Sequence, residues 1–485
     1  MSLARADLIA LLPLIVAAAS VVVVMLVAAF CRQPRAALLF TLLGLALAFA
    51  TLPLAAEVAP RAVTPLVIID RYALFYMGLV FAATFAVALL CYGYFGGAAG
   101  RHEALYVLLL AAALGAAVLV ASSHFASFFL GLELLSVALF ALIAYPTRAR
   151  HPLEAGIKYL ILAGLSSALL LFGMALIYAH LGTMQFAKIG ASLAAGGYDA
   201  DGYLLAGLAL IVSGVGFKLA LVPFHMWTPD VYEGAPAPVG ALVATVSKGA
   251  VLALLLRYFI AANAYRSHSI TLALSLIAIA SILAGNLLAL LQDNVKRILA
   301  YSSIAHFGYL LVAFLAVGAL AAEAVAYYLV AYFVTMLGAF AVVALLSRPG
   351  AERDADTLDD YRGLFWCRPW LAAAFTIMLL SLAGIPLTMG FVGKIYVVAA
   401  GVGASLWLLV IVLVIGSAIG LFYYLRVIAA MCAPVPADTP RVAAQLVTSP
   451  GASLTLAALT VLLVWLGAYP APLIHVIQTA VAHLT

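Results

Sequence analysis

Apolar runs of about 20 residues follow one another along the whole chain, separated by short clusters of charge, Pro or Gly. They fall at 8–30, 36–56, 72–95, 104–122, 125–146, 154–181, 203–222, 238–262, 269–291, 297–319, 322–347, 369–401, 403–431 and 452–482. Each is long enough to cross the roughly 30 Å hydrocarbon core of a bilayer as a helix. In lipid every backbone polar group must be bonded within the protein, so the pattern predicts an all-α polytopic membrane protein with 14 transmembrane helices. Residues 61–71 depart from it. With Pro65 and the β-branched Val67, Ile68 and Ile69, that segment reads as an extended loop or hairpin.

Composition removes the alternatives. At 68% hydrophobic and 8% charged residues, the chain lacks the polar surface to cover a body in water. The net charge of +5 is a thin excess spread over 485 residues, and no nucleic-acid partner is read from it. Cys31, Cys91, Cys367 and Cys432 are far apart and form no CxxC or Cys/His cluster, so no metal, iron–sulfur or haem site is expected. The first run is too long for a signal-peptide core and has no small-residue cleavage site after it, so it reads as a retained span.

Orientation follows from the basic residues of the loops. Arg32, Arg35, Arg101, Arg148, Arg150, Lys296, Arg297, Arg348, Arg353, Arg362, Arg368 and Arg441 lie on one side; Arg5, Arg61, Arg71, Lys188 and Arg266 lie on the other. The richer side is expected to be cytoplasmic, with both termini outside. The acidic loop 352–360 then reads as a solvated cytoplasmic connection.

The remaining basic residues sit inside apolar runs. Of only six lysines, Lys158, Lys218, Lys248 and Lys394 lie within predicted spans. Arginine keeps its charge permanently, whereas a desolvated lysine can exchange a proton. Each charge costs roughly 2.5–3.5 kcal/mol at mid-membrane, so the four are expected to face a hydrated or paired interior path. Glu133 is the single acid deep in a span and needs a cationic partner; Lys218 is the candidate. A Glu–Lys pair about 4 Å apart attracts by about 4 kcal/mol at an effective dielectric near 20, so breaking it could move a proton. The competing reading is a static salt bridge that holds helices together. For Lys158 the alternative is an ion pair at a helix end with Glu154, one turn earlier. His306 reads either as a proton relay or as a packed core histidine. His180 and His475 read as interfacial residues.

Two spans look interrupted near a buried lysine. Pro223 follows Lys218 in the seventh, and Gly384-Ile385-Pro386 precedes Lys394 in the twelfth. Broken helices in membranes line polar cavities, as in secondary transporters, although proline kinks also occur without function. Five spans separate the breaks, and a copy displaced by an odd number of spans inserts upside down. The expected layout is a three-helix segment (1–103), an inverted repeat of two five-helix units formed by helices 4–8 (104–262) and 9–13 (269–431), and a final helix (452–482).

The run Pro223-Phe224-His225-Met226-Trp227-Thr228-Pro229-Asp230-Val231-Tyr232-Glu233-Gly234-Ala235-Pro236 resembles the signature of the N-type antiporter-like membrane subunits of NADH-quinone oxidoreductase, respiratory complex I. The likeness extends over nearly the whole chain, through Glu133, the lysines and Ser302-Ser303-Ile304-Ala305-His306. Lys394, where M-type subunits carry Glu, favours the N type. The resemblance implies proton translocation coupled to quinone reduction elsewhere in the complex. Glu133 and Lys218 would form the coupling pair of one half-channel, Lys248 the central relay and Lys394 the second half-channel; Lys158, His225 and His306 are secondary candidates. It implies no cofactor on this chain, with FMN, iron–sulfur clusters, NADH and quinone in partner subunits. The implied partners are membrane subunits of the M, K, J, A, H and L types, with the M and K types adjacent, together with lipid and bound water. A cation/proton antiporter subunit of the Mrp kind and a non-pumping scaffold are the rival readings. Tyr423 and Tyr424 read equally as packing residues and are left out of the site.

Overall fold

The apolar runs form helices almost wherever the pattern puts them. The computed structural model describes residues 4–96, 102–145, 150–193, 198–347, 353–434, 449–482 and 484. Arg101, Arg148, Arg348, Glu352 and Arg441, used above for sidedness and the acidic loop, lie outside the described residues. Among the described residues 13 helices are long and apolar enough to cross a membrane. The twelfth run is instead a pair of shorter helices, Pro369–Ala383 and Met389–Gly403, with which the crossings number 14. This is an all-α polytopic membrane protein. Spans are numbered 1 to 14 in chain order.

Residues 61–71 form the expected hairpin. Strands Arg61–Thr64 and Val67–Ile69 pair antiparallel, with Arg61 opposite Ile69. Asp70 then caps span 3 (Arg71–Phe95) by accepting from the Ala73 amide. Its carboxylate also receives both terminal nitrogens of Arg257 at 2.7 and 2.8 Å, a buried bidentate pair that ties the hairpin to span 8.

Burial divides the spans into an interior and a rim. In the most apolar 18-residue stretch of each span, every residue is buried within the chain for span 8 (Ala237–Ala261) and 94% are for spans 10 (Val295–Ala316) and 11 (Ala319–Leu346), against 28% for spans 1 (Arg5–Phe30) and 2 (Pro34–Glu57). Neighbouring helices approach through glycines. A Cβ on Gly115 of span 4 (Glu103–Val120) would lie 2.6 Å from the Leu135 nitrogen of span 5 (Phe125–Ile143). One on Gly285 of span 9 (His268–Leu290) would lie 2.7 Å from the Ala305 nitrogen of span 10. Small residues are what permit backbones to come this close in a membrane.

Both expected breaks are present, and they are built alike. The first part of span 7 (Gly202–Leu219) ends on Ala220 at φ 60, and the first part of span 12 ends on Gly384 at φ 84. In each the following amide reaches back five residues, Leu221 to the Gly216 carbonyl and Ile385 to the Leu380 carbonyl, which is a Schellman closure. Span 7 resumes as Trp227–Gly234, and a π-helical turn, Val243–Ser247, leads into Lys248 in span 8. The last run differs from expectation. It is two helices, span 14 (Pro450–Ala468) and Ala471–Val481, because Pro470 cannot supply the amide that would carry the helix on.

Candidate functional site

The lysines sort by depth. Lys218, Lys248 and Lys394 are 2%, 0% and 7% exposed, so these three occupy the protein interior as expected. Lys158 does not join them. Its side chain is 44% exposed and bonds Glu154 at 2.8 Å and Asp230 at 2.9 Å. Lys158 thus forms the helix-end ion pair with Glu154 and lies near the start of span 6 (Arg150–Leu181), beside the Trp227–Gly234 helix that carries Asp230.

Glu133 and Lys218 lie on facing helices but do not bond each other. Glu133 accepts from Ser167 Oγ of span 6 at 2.5 Å, while Lys218 donates to Ser136 Oγ at 2.7 Å, one turn beyond Glu133 on span 5. Serines stand where the direct pair was expected, so the carboxylate and the amine are separately satisfied. The Lys218 ammonium also lies 5.6 Å from the Tyr159 ring centre. Trp227 packs against Tyr159, donates its indole N–H to the Phe217 carbonyl and turns its ring toward Lys248, 5.7 Å away.

Among the described residues no carboxylate is bonded to Lys248. Its Nζ donates to Ser303 Oγ at 2.7 Å, among the rings of Trp227, Tyr232 and Phe307. Ser303 also receives the Tyr332 hydroxyl at 2.7 Å. A hydroxyl and ring faces can hold either an ammonium or an amine, since a hydroxyl donates as well as accepts.

Lys394 is held differently. From the second half of span 12 it reaches back across the break and donates to the Leu382 carbonyl at 2.9 Å, the Ala383 carbonyl at 2.8 Å and Ser417 Oγ at 2.6 Å. These carbonyls are the orphan acceptors at the end of the first half-helix, where the helix dipole favours a cation. Although the two breaks are alike, Lys218 precedes its break and Lys394 follows its own.

Hydroxyls and one imidazole fill the space between Lys248 and Lys394. His306 Nδ1 pairs with the Tyr328 hydroxyl at 2.7 Å and Nε2 with the Tyr424 hydroxyl at 3.2 Å; Tyr424 also meets Ser302. Tyr309, whose ring lies 5.3 Å from Lys394, accepts from Asn286, and Tyr423 donates to Asn286 at 3.1 Å. Tyr332 meets His306 ring to ring, with centres 5.7 Å apart. Tyr423 and Tyr424 are thus part of the polar interior, each 1% exposed. Sequence reasoning left Ser136, Ser167, Ser417 and Asn286 out of the site and quoted Ser303 only as a member of the run Ser302–His306. Of these, Ser136 alone lies one turn from a charged residue of its own span, Glu133.

His225 lies in the break of span 7, 9% exposed, and its Nδ1 has no hydrogen-bond partner; the buried Thr228 hydroxyl also has none. Among the described residues no group of three or more His, Cys, Asp or Glu is placed to hold a metal ion.

Residues 122–420 match the model of the family described as NADH:quinone oxidoreductase/Mrp antiporter, transmembrane. The chain is 65% identical to a protein of Nitrosospira multiformis named NADH-quinone oxidoreductase subunit N, over 99% of this chain and 97% of that one. A Methylococcus capsulatus protein of the same name is 52% identical, over 96% and 93% of the two chains. Among solved structures, a chain of respiratory complex I from Thermus thermophilus is 33% identical with a TM-score of 0.81, covering 96% of this chain and 99% of that one. A chain of the Mrp complex from Dietzia superposes with a TM-score of 0.83 over 99% and 97% of the chains, at 20% identity, a likeness of fold alone. By this identity over nearly its whole length, and with the buried lysines and broken spans described above, the chain belongs to the subunit N family of antiporter-like membrane subunits of NADH-quinone oxidoreductase.

Proposed function

We propose that the chain moves protons across the membrane as part of the membrane arm of an NADH-quinone oxidoreductase. Glu133, Lys218, Lys248 and Lys394 would carry the transfer through bound water, with His306 bridging Lys248 and Lys394 and His225 serving the break of span 7. Flavin, iron–sulfur clusters, NADH and quinone belong to partner subunits in this reading, and M-type and K-type subunits flank the chain. The observation that carries it is the mode of burial. Three lysines sit in the interior on hydroxyls, carbonyls and ring faces, and among the described residues no carboxylate is bonded to any of them. A scaffold held by salt bridges would pair them.

Sidedness and repeat follow the same reading. The ion pairs of Asp230, Glu233, Arg297, Arg353 and Asp354 cluster at one end, where the loops richer in Lys and Arg lie, and that end is proposed as cytoplasmic, with both termini periplasmic. The matching breaks at Ala220 and Gly384, and the glycine contacts of spans 4 with 5 and 9 with 10, support two inverted five-helix units.

The test is Lys218→Met and Glu133→Ala in the assembled complex, with proton pumping and NADH-to-quinone electron transfer measured together. Pumping is expected to fall in both. Parental pumping and parental electron transfer in both variants would refute the assignment. Cation transport by reconstituted protein without NADH oxidation would instead favour the antiporter reading.

A further inference from the structure

Outside the three interior lysines, one further lysine is buried. Lys296, at the start of span 10, is 1% exposed. Its Nζ donates at 2.7 Å to each of three acceptors: the carbonyls of Glu233 and Ala235 and the carboxylate of Asp354. The two carbonyls close the Trp227–Gly234 helix, so Lys296 caps the second half of span 7 as Lys394 caps the first half of span 12. Asp354 is 7% exposed, accepts from the Tyr94 hydroxyl of span 3 and belongs to the connection between spans 11 and 12. That connection is stitched to the start of span 10 by Val295 N–H to the Asp356 carbonyl and Leu358 N–H to the Asp293 carbonyl.

The capped helix carries two side chains that shape the surroundings of Lys248. Trp227, 2% exposed, and Tyr232, 0% exposed, place their rings 5.7 and 5.2 Å from its Nζ. The Tyr232 hydroxyl lies 3.3 Å from Ser303 Oγ, the acceptor of Lys248. Rim contacts on the same helix, Asp230 and Glu233 to Arg297, are one-third exposed or more on the acidic side and are worth little in water. The interior latch is the one with three charge-assisted bonds out of solvent.

We infer that Lys296 is a positioning residue: with Asp354 it latches the connection between spans 11 and 12 to the second half of span 7, and through Trp227 and Tyr232 it fixes the environment of Lys248. A shift of that connection would reach the central lysine through a rigid lever about two turns long. This inference rests on the proton-transfer reading for its effect on transport, but the latch itself can be tested apart from it.

The experiment is hydrogen exchange of peptides covering 227–235 in the purified assembled complex, with the proton-to-electron ratio measured on the same preparations, for Lys296→Met and Asp354→Asn. Asp354→Asn keeps the shape; its one oxygen can still accept from Lys296 while its amide donates to the Tyr94 hydroxyl, so it removes charge with the least disturbance of folding. Exchange in 227–235 is expected to quicken about tenfold or more, the effect of losing one charged hydrogen bond from the latch, with a lowered proton-to-electron ratio. A purely structural role would reduce the yield of complex and leave the ratio of the assembled fraction unchanged. Parental exchange in both variants would overturn the latch. Faster exchange with a parental ratio would overturn its link to Lys248. If Lys218→Met pumps normally, the proton-transfer reading fails while the exchange result still decides the latch.

Discussion

Replacing Lys394 separates charge from proton release. In Lys394→Arg the guanidinium keeps a cation against the Leu382 and Ala383 carbonyls and has donors enough for both and for Ser417. The break in span 12 should therefore stay closed and the complex should assemble. Arginine surrenders its proton about three pH units less readily than lysine, so deprotonation at this position falls by about a thousandfold. Lys394→Met is the complementary change. It strips both carbonyls of their donor at a cost of about 1–3 kcal/mol each, lessened at Ala383 because Ser417 Oγ still donates to it at 3.3 Å. The methionine variant should lose thermal stability and pumping together, and the arginine variant pumping alone. Inverted membrane vesicles give the readout: NADH-driven acidification followed by a pH-sensitive dye, against the rate of NADH oxidation. A parental proton-to-electron ratio in Lys394→Arg would refute proton transfer by this residue and leave it an electrostatic cap.

Two further changes probe the frame. Gly115→Ala puts a Cβ 2.6 Å from the Leu135 nitrogen and should cost about 1–3 kcal/mol by forcing spans 4 and 5 apart, whereas Gly164→Ala, with nothing within 4 Å, should be neutral or stabilising; thermal unfolding of the purified complex compares them. Outside the spans, the Ser267 hydroxyl and then the His268 amide hold the Asp199 carboxyl below its usual range. That stabilisation is complete above the unfolded value near pH 3.9 and is lost as pH falls through the lower folded value, so Asp199→Asn should flatten the acid limb of a plot of Tm against pH. An unaltered acid limb would show that this contact adds nothing.

The spans, the hairpin and both breaks were legible because each depends on a local rule: unbroken hydropathy, β-branched residues beside Pro65, and proline or glycine inside an apolar run. The division of the last run at Pro470 was missed, although the same rule, a proline inside an apolar run, applies to it. Lys218, Lys248 and Lys394 stood out because charge is scarce. Their partners did not, for a reason visible in Ser20, Thr41 and Thr84, whose hydroxyls bond the carbonyl one turn back. A hydroxyl in an apolar helix is satisfied at home by default, so nothing in the sequence marks Ser417 as different, and Ser303 stands out only as a member of the run Ser302–His306. Lys158 misled for the opposite reason: its run begins at the membrane edge, and hydropathy alone does not say how far in a side chain lies.

The enclosure of nearly all of span 8 bears on how the protein is made. A helix without a lipid-facing side in the finished fold still has to leave the insertion machinery as a single segment, and until its neighbours arrive Lys248 is exposed to hydrocarbon at a cost of roughly 2.5–3.5 kcal/mol. Its apolar sequence supports insertion, but the hydroxyl that receives the lysine is on span 10, which is synthesised later. Biogenesis therefore has a built-in waiting period. Span 8 must be kept among its earlier neighbours until spans 10 and 11 close over it, and a chain released from synthesis before that point would carry its central charge unsheltered.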